Sequence, residues 1–430
     1  MGEIIKTRLD NGLTVLLKEM HTAPVASFWV WYRVGSGREH GGITGISHWV
    51  EHMLFKGTPR WPKGAADKAI SREGGLWNGA TWYDFTTYYA TLPAERIELE
   101  IQIEASRMHE ALFEPTEVEA ERTVIISERQ GAENDPQFLL EEEVIAAAFR
   151  VHPYGHETLG YMCDLEHMTR DDLYRHYRAY YAPNNAIAVA VGDFKAEEML
   201  ERIRHHFAHL PPGEPPPAFH PVEPPQRGER RVTLEGEGNT AYLSVAFHAP
   251  PATHPDFYPL VVLDTVLTGA SGMSLFGDGG SNKTSRLYRA LVDTELATDI
   301  SGNLIPTVDP FLYTFSATVR TGHTPAEVEE RLWVELERAA SAPITDEEFT
   351  KALKQAKAHF AYASESITGQ AFWLGWSEVF ADYRWFEGYL ERLSAVTPTE
   401  VQRVAGEILR RSNATVGWYV NQEEPRPAGS

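Results

Sequence analysis

The sequence is short of cysteine, of basic residues and of long apolar runs. Cys163 is the single cysteine among 430 residues, so no internal disulfide can form. Lys and Arg number 39 against 61 Asp and Glu, which gives a formal net charge of −22. This balance argues against binding to a phosphate backbone and to anionic membrane surfaces, so we expect neither nucleic acid nor a membrane as a partner.

No stretch of the chain is both long enough and uncharged enough to span a membrane, and the first residues lack the apolar core of a secretory signal. We therefore expect a cytoplasmic protein, and the alternative of export with a removed signal stays open. Hydrophobic residues make up 43% of the chain, which is typical of a folded globular protein.

A proline-rich segment divides the chain. Residues 211–225 contain eight of the 27 prolines, and so dense a run is neither a helix nor a central strand. Because 430 residues exceed one ordinary core, we predict two domains. They are residues 1–210 and residues 231–430, with a linker at 211–230.

The two halves repeat the same order of signals. An apolar strand is predicted at 25–34 in the first half and at 242–248 in the second, and helical patterns follow each. Near the end of each half a threonine opens a helix that leads to an asparagine and a last strand. The interval from Thr169 to Asn185 is 16 residues, as is that from Thr397 to Asn413. This register predicts a duplicated α+β unit.

His48-Trp-Val-Glu51-His52 places two imidazoles and a carboxylate within one helical turn. His48 and His52 fall on one face, with Cβ atoms about 5–6 Å apart, which suits a shared tetrahedral ion. Glu51 is then of most use unligated, as a base that takes a proton from water activated by the ion. For an isolated pair, the alternative is two ordinary histidines of an amphipathic helix. The second half has no histidine at the corresponding helix, residues 257–267.

A catalytic zinc usually needs a third protein ligand, and the segment after Pro115 supplies candidates. Glu121 and Glu128 are seven residues apart, so both lie on one helical face. The spacing does not say which of them binds. The alternative is a solvated face on which Arg122 and Arg129 are their neighbours.

The segment from Gly42 to Thr58 resembles the signature of the pitrilysin and insulinase metallopeptidases, in particular the short-subunit branch that includes mitochondrial processing peptidase. Further similarity lies at residues 152–156, 183–193 and 285–288. The resemblance implies two duplicated α+β domains, each a mainly antiparallel sheet packed with helices, which together form a clam-like bowl. It also implies one Zn²⁺ per chain and endopeptidase activity, which is the hydrolysis of internal bonds of short or unfolded peptides.

The resemblance also implies roles for individual residues. Glu128 takes the place of the family's third zinc ligand, beside His48 and His52, and Glu121 supports the site from behind. Glu51 is the implied catalytic base. The implied substrate-binding strand is Asn78, Gly79, Ala80 and Thr81. For that last segment the alternative is an ordinary Asn-Gly turn.

One departure from the family concerns the second half. Single-chain relatives carry an arginine and a tyrosine at two places where this chain has Val292 and Asp299. Neither side chain donates a hydrogen bond to a developing oxyanion at neutral pH. We therefore expect a heterodimer with a homologous subunit that lacks the zinc motif and supplies Arg and Tyr, with a homodimer as the fallback. The alternative function is a non-catalytic or weakly active peptide-binding or scaffold subunit of the same fold.

Two other segments are assigned no site. His205, His206 and His209 have ligand-like spacing, but no carboxylate motif accompanies them, and a solvated helix face is expected. The glycine-rich run from Gly269 to Gly280 resembles a substrate-entry loop, and the phosphate-loop pattern that overlaps it lacks the glycine required before Lys283.

Overall fold

The computed structural model describes residues 3–216, 221–269 and 283–421, which contain two sheets. Their strands are β1 (Ile4–Arg8), β2 (Thr14–Glu19), β3 (Val25–Tyr32), β4 (Leu76–Thr81), β5 (Thr86–Pro93), β6 (Ala186–Gly192), β7 (Arg230–Gly236), β8 (Tyr242–Ala249), β9 (Ala297–Leu304), β10 (Phe311–Val319) and β11 (Ala414–Asn421). The first sheet has the order β1-β2-β6-β3-β5-β4, and the second has the order β7-β11-β8-β10-β9. Most neighbouring strands are antiparallel, so the predicted α+β class is confirmed.

Helices cover much of the remaining chain. They are α1 (Ile46–Met53), α2 (Ala65–Arg72), α3 (Glu98–Glu110), α4 (Pro115–Glu133), α5 (Pro136–Ala148), α6 (Met162–His167), α7 (Arg170–Tyr180), α8 (Ala196–Phe207), α9 (Phe257–Leu267), α10 (Pro325–Ser341), α11 (Asp346–Ala363), α12 (Ile367–Phe380), α13 (Arg384–Glu387), α14 (Tyr389–Ala395) and α15 (Pro398–Ile408). A π-helical turn lies at Tyr288–Val292. The described part of the proline-rich segment 211–229 contains neither helix nor strand.

The chain forms two compact units from discontinuous segments. Unit 1 comprises Met1–Gln130, His156–Pro221 and Ser364–Glu387, and unit 2 comprises the remaining segments, Gly131–Gly155, Val222–Ala363 and Gly388–Ser430. Helix α12 therefore belongs to the unit of the first half, and α5 belongs to the unit of the second half. A domain boundary placed only at the linker does not account for this exchange of helices.

Both exchanged helices approach their sheets closely at a glycine. Helix α12 packs against β3 and β6, and a Cβ added at Gly375 would lie 2.0 Å from Trp31 Nε1. Helix α5 packs against β7, β8 and β11, and a Cβ at Gly417 of β11 would lie 2.3 Å from Val144 Cγ2. A larger side chain at either glycine would push the helix off the sheet.

Strand β3 explains why unit 1 needs a helix on each face of its sheet. Phe28, Val30 and Tyr32 belong to the core that also contains residues of α1 and α3. Trp29 and Trp31 face the other way and contact Phe372 of α12, with ring centroids 6.0 and 5.6 Å apart. A strand that is apolar on both faces reads as a continuous hydrophobic run, as β3 does.

Candidate metal centre

Helix α1 carries the predicted motif, and a buried carboxylate caps its first turn. Glu39 is fully buried and accepts hydrogen bonds from the backbone N–H groups of Gly45, at 2.7 Å, and Ser47, at 2.8 Å. Gly45 adopts φ +86°, and a Cβ there would lie 2.5 Å from the carbonyl oxygen of Leu159, so glycine is required. His176 of α7, in the second segment of unit 1, contacts the Ser47 hydroxyl at 3.2 Å. These contacts fix the direction of α1.

Three side chains converge where the sequence predicts a metal ion. One ligand atom from each of His48, His52 and Glu128 lies within 4.8 Å of the other two. Glu128 Oε2 is 3.8 Å from His48 Nε2 and 3.7 Å from His52 Nε2. Two ligands that each lie 2.1 Å from a tetrahedral zinc are about 3.4 Å apart, so the donor set and its spacing fit Zn²⁺. Within the described ranges, no other group of this kind occurs.

Glu121 lies behind His52 rather than among the ligand atoms. Its Oε1 is 2.9 Å from His52 Nδ1, and its Oε2 pairs with Lys56. Only 4% of Glu121 is exposed, so the solvated-face alternative is wrong for this residue. Burial opposes ionisation of the Glu121 carboxyl, but its bonds to His52 and Lys56 outweigh burial and lower its pKa. Such a contact fixes the ring orientation and leaves Nε2 as the metal-facing nitrogen.

The two imidazoles have opposite pKa shifts. Burial lowers the pKa of His48 to about 3, and His52 adds to that effect. The imidazole of His48 is therefore neutral at physiological pH, as a metal ligand must be. Burial also acts to lower the pKa of His52. The bond to Glu121 and the nearby charges of Glu51 and Glu128 outweigh it and raise that pKa.

Glu51 stands beside the three converging atoms with its own set of contacts. Its Oε2 accepts a hydrogen bond of 2.7 Å from Thr81 Oγ1, while Oε1 has no hydrogen-bond partner within the described residues. A Cβ at Gly79 would lie 2.9 Å from Oε1, so the absent side chain makes room for the carboxylate. Burial raises the pKa of Glu51 above its ordinary value. A raised pKa suits a group that both accepts and returns a proton.

The predicted substrate-binding residues form part of an edge strand. Asn78, Gly79, Ala80 and Thr81 lie in β4, which is the last strand of its sheet and pairs only with β5. The Asn-Gly turn alternative is therefore wrong. One side of β4 presents backbone N–H and C=O groups that no strand of the sheet uses.

The sequence did not reveal a buried charged cluster next to this site. Glu100 and Glu104 are fully buried, and Arg107, only 2% exposed, approaches Glu104 at 3.3 Å. Three aromatic rings surround the Arg107 guanidinium at 4.8–5.3 Å from their centroids; they belong to Phe55, Trp77 and Tyr88. The charged residues have the i, i+4, i+7 spacing of a solvent-exposed helix face, so only the apolar residues between them hinted at burial. Lys56 was missed as well, four residues after His52.

A cavity of about 300 Å³ lies between this cluster and β4. Its wall includes Phe55, Trp61, Trp77, Asn78 and Arg107. The cavity is large enough for one amino-acid side chain, and three aromatic rings form part of its wall.

The remaining predicted residues lie elsewhere. Val292 ends the π-helical turn, and Asp299 is an exposed residue of β9 opposite Thr318. Helix α9 has no histidine, as the sequence indicated. His205 and His209 are exposed, and His206 pairs with Glu98 at 3.0 Å, so the three form no shared ligand group. Apart from Gly269, the predicted entry loop Gly269–Gly280 lies outside the described residues.

Two family models match the chain along most of its length. Residues 14–161 match the model described as "Insulinase (Peptidase family M16)", and residues 167–356 match the model described as "Peptidase M16 inactive domain". The chain belongs to peptidase family M16. This confirms the resemblance inferred from the residues around His48.

Individual relatives include proteins that are named as zinc proteases. Zinc protease PqqE of Helicobacter pylori is 27% identical over 419 residues, which are 95% of this chain and 90% of that protein. A probable mitochondrial-processing peptidase subunit beta of Arabidopsis thaliana is 30% identical over 297 residues, 68% of this chain and 55% of that one.

Solved structures agree on the fold. A protease from Helicobacter pylori superposes with a TM-score of 0.91 at 25% identity, and the match covers 97% of this chain and 99% of that chain. A structure from Pseudomonas fluorescens, titled a peptidase M16 inactive domain, has a TM-score of 0.86 at 16% identity, with 99% of each chain covered. Among the described residues, no helix combines the length and the apolar character that crossing a membrane requires.

Proposed function

We propose that this chain is a zinc-dependent endopeptidase, with one Zn²⁺ held by His48, His52 and Glu128. The observation that carries the proposal is the convergence of these three ligand atoms within 4.8 Å, with the Glu51 carboxylate beside them. Two imidazoles and a single carboxylate leave the fourth position of a tetrahedral ion open, as catalytic zinc sites require.

Each side chain of the site has a different role in hydrolysis. When bound, the zinc ion acidifies water and polarises the scissile carbonyl. Glu51 takes the proton of the attacking water on its free Oε1 and passes it to the leaving amine. Thr81 holds the other oxygen of Glu51 at 2.7 Å and so keeps the carboxylate pointed toward the ligands. Glu121 fixes the ring of His52 through its bond to Nδ1.

The edge strand supports an extended peptide as substrate. A peptide that adds to β4 as a further strand forms hydrogen bonds through its main chain, so its sequence is weakly restricted. The neighbouring cavity of about 300 Å³ accepts one apolar or aromatic side chain of that peptide. We therefore propose that the substrates are short or unfolded peptides, because a segment held in a folded protein is not free to extend along β4.

Two variants separate zinc binding from proton transfer. We expect His52→Ala to lose both zinc and peptidase activity, and Glu51→Gln to keep zinc and lose turnover. Zinc content by elemental analysis, measured beside cleavage of a quenched fluorescent peptide, distinguishes them. A Glu51→Gln protein that cleaves the peptide at the wild-type rate would contradict the role of Glu51. A wild-type chain that retains no zinc would contradict the metal centre itself.

We also propose that full activity needs a homologous partner subunit. Val292 and Asp299 stand where related single-chain enzymes have Arg and Tyr, and two relatives are named as beta subunits of mitochondrial-processing peptidase. The partner would lack the zinc motif and supply Arg and Tyr, and a homodimer is the fallback. Cleavage by the purified chain is compared with cleavage after addition of a co-purified partner. A full rate from the chain alone would exclude the heterodimer.

A second candidate function is a peptide-binding or scaffold subunit. Its support is the match of residues 167–356 to a model described as an inactive domain, together with Val292 and Asp299. This candidate predicts peptide binding without turnover, even with zinc and a partner present.

We propose that the protein is located in the cytoplasm. The chain has a single cysteine and cannot form an internal disulfide, whereas disulfides are common in proteins of oxidising compartments. Cell fractionation followed by detection of the chain in the periplasm or an organelle would refute this.

A further inference from the structure

A second and larger cavity lies within unit 2, far along the chain from the zinc motif. It measures about 640 Å³ and lies among α9, the residues around the π-helical turn, α10 and α11. Its charged lining is Arg286, Arg289, Arg331, Arg338, Lys351, Glu335, Glu347 and Glu348. Five cationic side chains against three carboxylates give this cavity a positive balance, although the whole chain has a net charge of −22.

Arg286 is the most buried of these cations. Its side chain is only 9% exposed, and its Nε and Nη2 each donate a hydrogen bond of 2.8 Å to the carboxylate of Glu348. This two-point contact fixes the guanidinium plane. The remaining nitrogen, Nη1, is buried and has no hydrogen-bond partner among the described residues. A buried donor of a charged group without an acceptor costs free energy, so the position favours an additional oxygen atom.

Two further cations of the cavity have no carboxylate of their own. Arg289 forms no ion pair within the described ranges, and Lys351 donates only to the carbonyl oxygen of Thr284, at 2.9 Å. Burial lowers the pKa of Lys351, and the positive charge of Arg289 lowers it further, while the carboxylates of Glu348 and Glu347 oppose the shift without cancelling it. Two like charges that face each other in a cavity are relieved by an anion between them.

Two other cations of the lining share a single carboxylate. Arg331 and Arg338 both approach Glu335, at 3.0 and 3.7 Å. Glu347 is exposed and forms no ion pair among the described residues. The lining therefore keeps a net positive charge. Its donors without a carboxylate partner among the described residues are Arg286 Nη1, Arg289 and Lys351, which belong to two neighbouring segments of unit 2.

We propose that this cavity is a binding site for a small molecule that carries oxyanion groups, either carboxylate or phosphate. Arg289 and Lys351 hold one oxyanion, and Arg286 Nη1 supplies a fixed donor at the buried end. The volume lies within the range of small-molecule sites, about 300–1,000 Å³. Nothing in this assignment depends on the zinc ion or on peptidase activity.

Thermal melting of the complete zinc-loaded chain tests the site. Succinate and inorganic phosphate are titrated separately, each against sodium chloride of equal ionic strength, and the melting temperature is followed. We expect a saturable rise for the wild type. For Arg289→Gln and Lys351→Gln we expect the midpoint of the titration to move to about tenfold higher ligand concentration, since each variant removes one charge-assisted hydrogen bond.

Arg410→Gln is the matched control, because Arg410 is exposed, lies outside the cavity and loses the same charge. Its midpoint should equal that of the wild type. A response to succinate alone assigns a carboxylate ligand, a response to phosphate alone assigns a phosphate ligand, and a response to both assigns a general oxyanion site. No saturable rise with either compound, or equal midpoints in all four proteins, would overturn the proposal.

Discussion

The two units share a sheet plan and differ in what their first helix carries. The strand order β2-β6-β3-β5-β4 of unit 1 corresponds to β7-β11-β8-β10-β9 of unit 2. In both sheets the first two strands of that order are parallel. Helices α7 and α15 also correspond, since Thr169 and Thr397 close a capping box at each. The framework was kept in both copies, whereas the histidines are present in one.

Each unit places a helix carboxylate against a glycine of its edge strand. Glu51 of α1 lies beside Gly79 of β4, and Asp264 of α9 lies beside Gly302 of β9. A Cβ built on the glycine would lie 2.9 Å from Glu51 Oε1 and 2.4 Å from Asp264 Oδ1. The second copy therefore retains a buried acidic group at a comparable place without any histidine near it on α9.

The two carboxylates differ in how many hydrogen bonds they accept. Asp264 Oδ1 accepts hydrogen bonds from Tyr313, at 2.9 Å, and from Thr268, at 2.7 Å. Glu51 accepts one from Thr81 on Oε2, and its Oε1 accepts none from the described residues. If the proposed function is correct, the carboxylate serves catalysis in the unit that has the histidines and serves structure in the unit that lacks them.

The largest expected effect comes from removing the charge of each carboxylate in turn. Glu51→Gln should lower turnover by about 10²–10⁴-fold, because proton transfer is lost. Asp264→Asn should leave turnover within about twofold and lower stability by about 1–3 kcal/mol, since Tyr313 and Thr268 then donate to a neutral amide oxygen instead of a charged carboxylate. Peptide cleavage and thermal melting of both variants measure this. A comparable loss of turnover in Asp264→Asn would remove the distinction between the two units.

The next effect concerns the support of His52. Glu121→Gln loses the charge that holds Lys56 and orients the imidazole, so zinc affinity should fall by about 10–100-fold. Competition with a chromophoric chelator measures the zinc dissociation constant. Glu117→Gln on the same helix is the control, because Glu117 pairs with Lys63 away from the ligands. Equal affinities in the two variants would mean that Glu121 does not tune the site.

Much of this framework could be predicted from the sequence because its signals are local. The spacing of His48 and His52 predicted a shared face, and their rings are 4.6 Å apart. Thr169 and Thr397 predicted helix starts, and both are N-caps. Local sequence signals could not decide which glutamate of α4 is the ligand, since Glu121 and Glu128 lie on the same helical face. The positions of the imidazole nitrogens distinguish them.

The exchange of helices could not be predicted for a similar reason. Neither α5 nor α12 has a distinct polar face, and such a pattern predicts burial without indicating which sheet covers the helix. Arg107 was missed because an arginine at helical spacing from Glu104 usually faces water. Its burial depends on aromatic residues of other segments, such as Trp77, which only the tertiary structure brings together.

A smaller effect is expected at the two glycines, and it should differ between the units. In Gly302→Ala the new methyl group meets Asp264 Oδ1 at 2.4 Å and Thr268 Oγ1 at 2.6 Å, and both atoms are held by hydrogen bonds. We expect a loss of about 1–3 kcal/mol in stability and unchanged turnover. In Gly79→Ala the nearest atom is the free end of Glu51, which can move, so turnover falls several-fold while stability changes little. Melting curves and cleavage rates that change alike in both variants would contradict this contrast.

The effect that is smallest at neutral pH is a difference in acid sensitivity that originates in unit 1. Burial lowers the pKa of His176 to about 3, below its ordinary value of 6.5, so the folded state favours the neutral ring. Protonation then favours unfolding, and this stability is present above pH 6.5 and is lost as pH falls toward 3, by up to about 1.4 kcal/mol per pH unit. His176→Gln should flatten the fall in melting temperature of the zinc-free protein between pH 6.5 and 4, whereas substitution of the exposed His205 by Gln should not. Parallel curves for wild type and His176→Gln would show that the buried imidazole does not control the acid response.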